Sequence, residues 1–427
     1  MYFDNIQSQI LESKFSPQVL SRLDKVITHK YYGVLIFIVV MWLVFQATFH
    51  LGFYPMLGIE KLVFLIQGLI ETYMPGSIIK DLILSGILKG VGGVIVFLPN
   101  IVILFLLLAM MQESGYMARV SMVMDRVMKP LGLSGKSFIS LIMGFGCNVP
   151  AIMAAQTIEN RNSRLITILI NPLMSCGSRF TVYVLMISAF FPDHPGTILF
   201  VLYLTSVLFA IGISLFLKTF VLKKAREINL TYLPKYKLPS FRKIMKNIWY
   251  NSKLFLNKIT GAILIASIIV WILMYFPINK DKTIQIENSY IGHIGKFIEP
   301  ALYPLGFDWR MGISMIAGIA AKETIVGTLS ELYQHDAKKE NNKTTLISSI
   351  KAQVYTDGKR KGQRVFSPLV ALSFMFFISI YTPCVATCAA ISKTTKSKKW
   401  TVFVLAYTST LAWIVSFAIY SVGSLFY

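Results

Sequence analysis

Charge is scarce in this sequence. Only 15% of its 427 residues are Asp, Glu, Lys or Arg, against 55% hydrophobic residues and a mean hydropathy of +0.62. A soluble domain keeps about a quarter of its residues charged, so this chain cannot cover a soluble surface, and long apolar runs account for the deficit. Acidic residues are scarcest, 20 against 42 Lys and Arg. In a soluble protein a formal net charge of +22 would point to nucleic acid. Here the bases sit between hydrophobic spans, as in cytoplasmic loops facing anionic lipid, and no nucleic-acid partner is expected. With five histidines and no triad, paired carboxylates or redox constellation, nothing indicates an enzyme. Four cysteines, Cys147, Cys176, Cys384 and Cys388, fall inside or beside apolar segments, which argues against a secreted-type disulfide framework. The start, MYFDNIQSQILESKF, has no basic stretch followed by an apolar core and reads as an amphipathic lead-in rather than a cleavable signal.

What is present is a series of apolar runs, and the expected class is an all-α polytopic membrane protein. A bilayer core of about 30 Å takes roughly 20 apolar residues in a helix. About eight to nine segments approach that, near 32–52, 89–111, 139–158, 165–191, 196–217, 258–276, 310–333, 367–391 and 401–426. Residues 59–88, holding Glu60, Lys61, Glu71 and Asp81, read as an interfacial helix. The Lys- and Arg-rich stretches 112–138 and 218–257 both belong on the cytoplasmic side, so an even number of crossings separates them. Three apolar segments lie between, so one does not cross. The sequence GFGCNVP (144–150) marks 139–158 as that one. Gly144, Gly146 and Pro150 interrupt its helix, and interrupted backbone at membrane depth survives only where protein or a water-filled cavity satisfies it. A re-entrant or unwound element is expected there. Lysines in 335–366 and 393–400 raise the same parity question in the second half, which the sequence leaves open.

PLGLSGKSFISLIMGFGC (130–147) aligns without gaps on PLGFDWRMGISMIAGIAA (304–321), and the SC of NPLMSCGSR (171–179) falls where PC occurs in YTPCVATC (381–388). Secondary transporters are often built from such repeats, with discontinuous helices of each meeting near the midplane.

Polar groups inside hydrocarbon cost several kcal/mol, so each is a functional candidate. Glu323 stands in GIAAKETIVG, Asn148 follows Cys147, and Asn171 and Pro172 precede Cys176 by about one turn. Pro383 precedes Cys384, and Glu113 opens ESGYMAR at a helix end. Thiol, carboxylate and amide together suit a soft-to-borderline divalent transition metal, since Mg and Ca want oxygen only. The candidate metal ligands are Cys147, Asn148, Cys176, Glu323 and Cys384. Gly144, Gly146, Pro150, Pro172, Pro383 and Glu113 are the gate or structural positions. Cys388 reads as packing, and Lys322 snorkels or pairs with Glu323. The methionines are filler. GLSGKS (132–137) imitates a phosphate loop, but Pro130 stands where its first glycine belongs and no strand precedes it.

FLPNIVILF (97–105), ESGYMARVSMVMDRVM (113–128), GLSGKSFISLIMGFGCNVPAIMA (132–154), NPLMSCGSRFTVY, PLGFDWRMGISMIAGIAAKE and YTPCVATCAAI resemble, in order, the membrane region of the bacterial ferrous iron transporter B family, FeoB. The resemblance implies Fe(II) uptake across the cytoplasmic (inner) membrane and two regions similar to the gate domains of nucleoside-transport-related proteins. Cys147, Cys176 and Cys384 fall on the family's gate cysteines, and Glu323 on its AKE glutamate. The family's GTP-binding domain would end about where this chain opens, so the expectation is a split system or a fragment. GTP would then act through a separate domain or chain, with Fe(II) as cargo and no permanently bound cofactor. The resemblance further implies a GTPase domain on another chain and a small cytoplasmic FeoA-like partner, and it permits a homo-oligomer. On this reading 1–31 is a cytoplasmic lead-in, 32–88 the first transmembrane helix and interfacial helix, and 89–217 a first gate-like repeat. A basic cytoplasmic loop (218–257), a second gate-like repeat (258–392) and a C-terminal transmembrane helix (393–427) complete the chain. Two other readings compete: a gate-fold transporter of nucleosides or another solute, and a non-transporting scaffold for a GTPase.

Overall fold

The structure, a computed structural model, describes residues 27–29, 32–75, 77–221, 261–277, 288–337, 346–355 and 362–426, with positions 240, 242 and 245. The lead-in up to residue 26, nearly all of the basic loop beyond 221 and parts of 335–366 lie outside the described residues. Among those described the fold is helical throughout, with no strand and a single isolated bridge between Val354 and Arg364.

The first helix, α1 (Tyr32–Tyr73), has 42 residues and at 1.5 Å per residue reaches about 63 Å, twice the bilayer core. The sequence divides this stretch into a span and a separate interfacial helix; the chain instead runs through Pro55 without a break. One proline removes one backbone bond, and no further stop signal follows it. Glu60, Lys61 and Glu71 are exposed on the later turns. A short helix (Ile78–Asp81) and a π-helical stretch (Leu82–Leu88) lead into α2 (Lys89–Glu113), which packs along α1.

Next come α3 (Tyr116–Met128), α4 (Gly135–Gly146), α5 (Asn148–Ala154), α6 (Arg161–Ile170), α7 (Gly177–Phe190) and α8 (Pro195–Phe216). The later half holds α9 (Gly261–Tyr275), α10 (Tyr290–Leu302), α11 (Trp309–Ala320), α12 (Thr324–Ala337), α13 (Leu346–Ala352), α14 (Pro368–Ile380), α15 (Val385–Thr395) and α16 (Lys398–Gly423).

Five stretches of the described residues are long and apolar enough to cross a membrane: Tyr32–Tyr73, Arg161–Phe190, Pro195–Phe220, Pro368–Thr395 and Lys398–Gly423. A sixth arises if Leu98–Glu113 and Tyr116–Leu131, which meet at 83°, count as one bent span. Among the described residues, five or six of the eight to nine apolar segments are therefore seen as candidate spans. The windows 139–158 and 310–333 are each divided by a helix break.

Side-chain bonds show which ends of these helices lie together. Ser163 donates to Gly132 O at 3.1 Å, Lys218 to Pro130 O at 2.8 Å and Ser214 to Leu131 O at 2.9 Å. Lys136, in the first turn of α4, pairs with Glu159 beyond α5 at 2.7 Å. The α4–α5 element thus enters and leaves at one end of the bundle, where α6 begins and α8 finishes. At the other end Phe190 stacks on Phe366, and Tyr355 donates to Gly306 O at 3.2 Å. There the Tyr333 hydroxyl near the close of α12 donates to Asp308, the cap of α11, at 2.8 Å. The α11–α12 element therefore enters and leaves at that second end. The α14–α15 stretch runs back to the first end, where Gln156 donates to Thr394 at 3.1 Å.

These two parts of the chain share local structure. The 13-residue helices α3 and α10 each run into a three-residue 3-10 turn, Lys129–Leu131 and Tyr303–Leu305. A left-handed glycine follows, Gly132 at φ 78° and Gly306 at φ 84°, a conformation glycine adopts without steric cost. Extended caps, Ser134 and Asp308, then start the 12-residue helices α4 and α11. Both stop at an extended residue, Cys147 (φ −156°, ψ 127°) and Ala321 (φ −152°, ψ 131°).

Candidate functional site

Four helix interruptions lie between these ends, and local chemistry produces each. Pro150, third residue of α5, has no N–H for a bond to Gly146 O, and its ring clashes with that carbonyl if the helix continues. The helix therefore stops at Cys147, which caps α5. Pro172 shapes the 3-10 turn Asn171–Leu173, after which Met174–Cys176 is unwound and Cys176 caps α7. Pro383 disfavours helical backbone at Thr382; α14 ends at Ile380 and Cys384 caps α15. The fourth break, Ala321–Glu323, contains no proline, and the Thr324 hydroxyl donates back to Ala321 O at 2.7 Å. Glu113 instead ends α2 at the bend into α3, where Gly115 is left-handed.

The interruptions approach one another closely. A Cβ on Gly144 would lie 2.8 Å from Asn171 Oδ1 and 3.0 Å from Met174 Cβ. On Gly318, its counterpart in α11, a Cβ would lie 2.6 Å from the Tyr381 hydroxyl and closer still to Ile325 Cγ1. At Gly146 it would meet the Phe45 ring at 3.1 Å. Helices α5 and α15 pack through Val149 and Ala386, with Cys147 and Cys384 against that cluster.

Cys176, Cys384 and Glu323 each lie within electrostatic reach of Cys147. All four are half-buried, whereas Val149–Ile152, Asn171–Ser175, Lys322 and Tyr381 around them are buried. Glu323 faces the Ser178 hydroxyl, and Cys384 Sγ lies 3.2 Å from Thr387 Oγ1. Among the described residues, no group of three or more His, Cys, Asp or Glu side chains is arranged so that it would already hold a metal.

Asn148 is spoken for. With its amide nitrogen turned inward, the assignment that pairs donor with acceptor, it reaches Gly144 O and Asn171 O at 3.1 Å and Asn171 Oδ1 at 3.2 Å. Asn171 in turn donates to Ser140 O at 3.2 Å, and Ser140 donates to Ala151 O at 2.7 Å. The amide ties α4, α5 and the 3-10 turn into one unit.

Two buried cations were less legible. Arg179, 1% exposed, donates to Met174 O and Pro172 O at 3.1 Å and to Tyr381 O at 3.4 Å, spanning two interruptions. Lys322, 3% exposed, does not snorkel. It donates to Thr382 O, its ammonium 3.1 Å from the centroid of the Tyr381 ring. The signal for Arg179 was its place inside an apolar span, where a guanidinium is expensive. A serine cluster also went unread. Ser175 lies 3.0 Å from the Tyr183 hydroxyl and 2.9 Å from Ser206, which lies 3.1 Å from Ser379.

Chemically, the place offers thiols, one carboxyl group and carbonyls freed from helix ladders, the donor mixture for a borderline metal ion. The protein's own cations occupy four of those carbonyls.

The family model Gate, described as nucleoside recognition, matches residues 94–190 and 256–398. The model for the ferrous iron transport protein B C terminus matches 199–250. The chain is 42% identical over 439 residues to the Fe(2+) transport protein A/Fe(2+) transporter FeoB fusion protein of Porphyromonas gingivalis, covering 95% of this chain and 52% of that protein. It is 40% identical over 415 residues to the Fe(2+) transporter FeoB of Staphylococcus aureus (95% and 59%). The Fe(2+) transporter FeoB of Campylobacter jejuni is 36% identical over 429 residues (98% and 68%). The chain thus spans 52–68% of the length of these curated relatives. No solved structure matches it. On the family models and these identities, the chain belongs to the FeoB family.

Proposed function

We propose that this chain conducts Fe(II) across the cytoplasmic membrane, the ion passing between interrupted helices of two inverted units. The observation that carries this reading is that Cys147, Cys176 and Cys384 each cap a helix at a break, with Cys176, Cys384 and Glu323 within electrostatic reach of Cys147. In the first unit α4–α5 is a re-entrant hairpin from one end and α6–α7 a broken span. In the second, α11–α12 is a hairpin from the opposite end and α14–α15 the matching span. The equal element lengths, matched cap dihedrals and opposite ends support the duplication, as does the Gate model matching in two separate stretches. Inverted repeats with discontinuous helices meeting at mid-membrane are the usual build of a secondary transporter.

The three thiols and Glu323 act as transient ligands, while Gly144, Gly146, Pro150, Pro172 and Pro383 form the breaks. Glu113 and Asn148 serve structural positions in the gate. A partial donor set suits transport, because a site that conducts must also release its ion. GTP hydrolysis belongs to a separate domain or chain. A small FeoA-like protein is the expected partner, since the Porphyromonas gingivalis relative carries both names.

The test is anaerobic Fe(II) uptake by cells carrying the full system at equal expression. Cys147→Ser, Cys384→Ser and Glu323→Gln should each lower uptake at least as much as loss of a second-shell partner, roughly 10–100-fold. Unchanged uptake in all three removes the site. Transport of a nucleoside, indifferent to the cysteines, would establish the competing solute reading.

A further inference from the structure

The two hairpin tips are fastened differently, and the difference concerns charge. At the α4–α5 tip Asn148, a neutral amide, bonds to Gly144 O and Asn171 O. In the neighbouring break Arg179 takes the Met174 and Pro172 carbonyls, and the Ser175 hydroxyl lies against those of Tyr183 and Ser206. At the α11–α12 tip the corresponding residue is Lys322. Its ammonium donates to Thr382 O and lies over the Tyr381 ring, both in the break between α14 and α15. That break is left polar and incomplete. Among the described residues, Tyr381 Oη and Thr382 Oγ1 in that break are buried without a hydrogen-bond partner. Thr382 and Cys384 sit one on either side of Pro383, and Glu323 follows Lys322 directly. One cationic group therefore holds the second tip shut beside the proposed ion ligands.

We infer that Lys322 is a built-in cation latching the α11–α12 hairpin onto the α14–α15 break, and that an arriving divalent cation releases it. The inference rests on the Fe(II) reading above. A divalent ion bound by Cys384 and Glu323 repels the ammonium in a low-dielectric setting and competes for the Thr382 carbonyl. The α4–α5 tip, held by neutral groups, feels no comparable force. The moving gate is α11–α12, and α4–α5 together with Arg179 is the fixed frame. Lys322 acts as a positioning residue and does not ligate the ion.

Amide hydrogen exchange on the purified full chain, in anaerobic buffer, tests both halves. Without metal, Lys322→Met should raise exchange in residues 323–330 by about tenfold or more and leave 148–154 at the wild-type rate. Lys322→Arg, which keeps charge and donor, should retain protection. Fe(II) added to wild type should loosen 323–330 selectively, with little further change in Lys322→Met. Equal protection in Lys322→Met, or loosening of both hairpins alike, overturns the latch. If Lys322→Met does not fold, the wild-type titration decides: loosening at α4–α5, or nowhere, overturns the proposal. Uptake by the full system separates the two readings. Iron uptake without Fe(II)-dependent exchange refutes the release alone. Absence of uptake with faster exchange in Lys322→Met refutes the iron reading and leaves the latch.

Discussion

Replacing Arg179 is the most informative perturbation of the frame. Among the described residues its guanidinium donates to carbonyls of two separate interruptions: Met174 and Pro172 at 3.1 Å and Tyr381 at 3.4 Å. Arg179→Met keeps much of the stem and removes every donor. Each buried carbonyl left unpaired costs about 1–3 kcal/mol, and the longest of the three bonds counts for little. Against this stands the desolvation of a buried guanidinium, several kcal/mol recovered when the charge is removed. The balance of two strong bonds against partial recovery is a net loss of about 2–4 kcal/mol. Domains of 150–250 residues lose roughly 2–4 °C per kcal/mol and a chain of this size about 1 °C, so a fall of about 2–4 °C in apparent melting temperature is expected in detergent. Arg179→Lys, a point donor that reaches fewer of the acceptors, should fall between. A melting temperature for Arg179→Met within about 1 °C of wild type refutes the argument that the carbonyls depend on this residue.

Two further outcomes test the packing around the breaks. Gly318→Ala places a methyl against the Tyr381 hydroxyl and Ile325, both buried, and should cost about 1–3 kcal/mol by overpacking in a thermal melt; a neutral result means the approach of α11 to α14–α15 is looser than described. Glu159→Gln removes an ion pair whose side chains are 42% and 61% exposed, so stability should change by less than about 1 kcal/mol; a larger loss means this surface pair closes the α4–α5 element, instead of the Ser163 bond to Gly132 O.

Much of the molecule was readable residue by residue. The apolar runs locate the spans because hydropathy acts on each helix alone. GFGCNVP, NPLMSC and YTPC announce breaks because proline and glycine act within one helical turn. The aligned PLG segments marked the two stretches whose turns and caps later matched. Where reading failed, the missing information was not local. Nothing between Leu51 and Tyr73 says that α1 continues as one helix beside α2. Loop charge left the parity of the second half open, and the bonds of Tyr333 to Asp308 and of Tyr355 to Gly306 place the α11–α12 ends together.

Lys322 illustrates the division most sharply. Its sequence neighbour Glu323 made an ion pair the obvious guess, yet the ammonium goes to a carbonyl 60 residues onward. Arg179 likewise reaches Tyr381, 202 residues away. Sequence alone determined that this chain is apolar and helical, where its helices break, and which thiols and carboxylate lie at the breaks, because these depend on transfer energy and local backbone geometry. Only the tertiary structure decided which breaks meet and which charged group satisfies each freed carbonyl. That choice belongs to whichever donor packing brings within reach, since a buried carbonyl must find a partner but does not specify one.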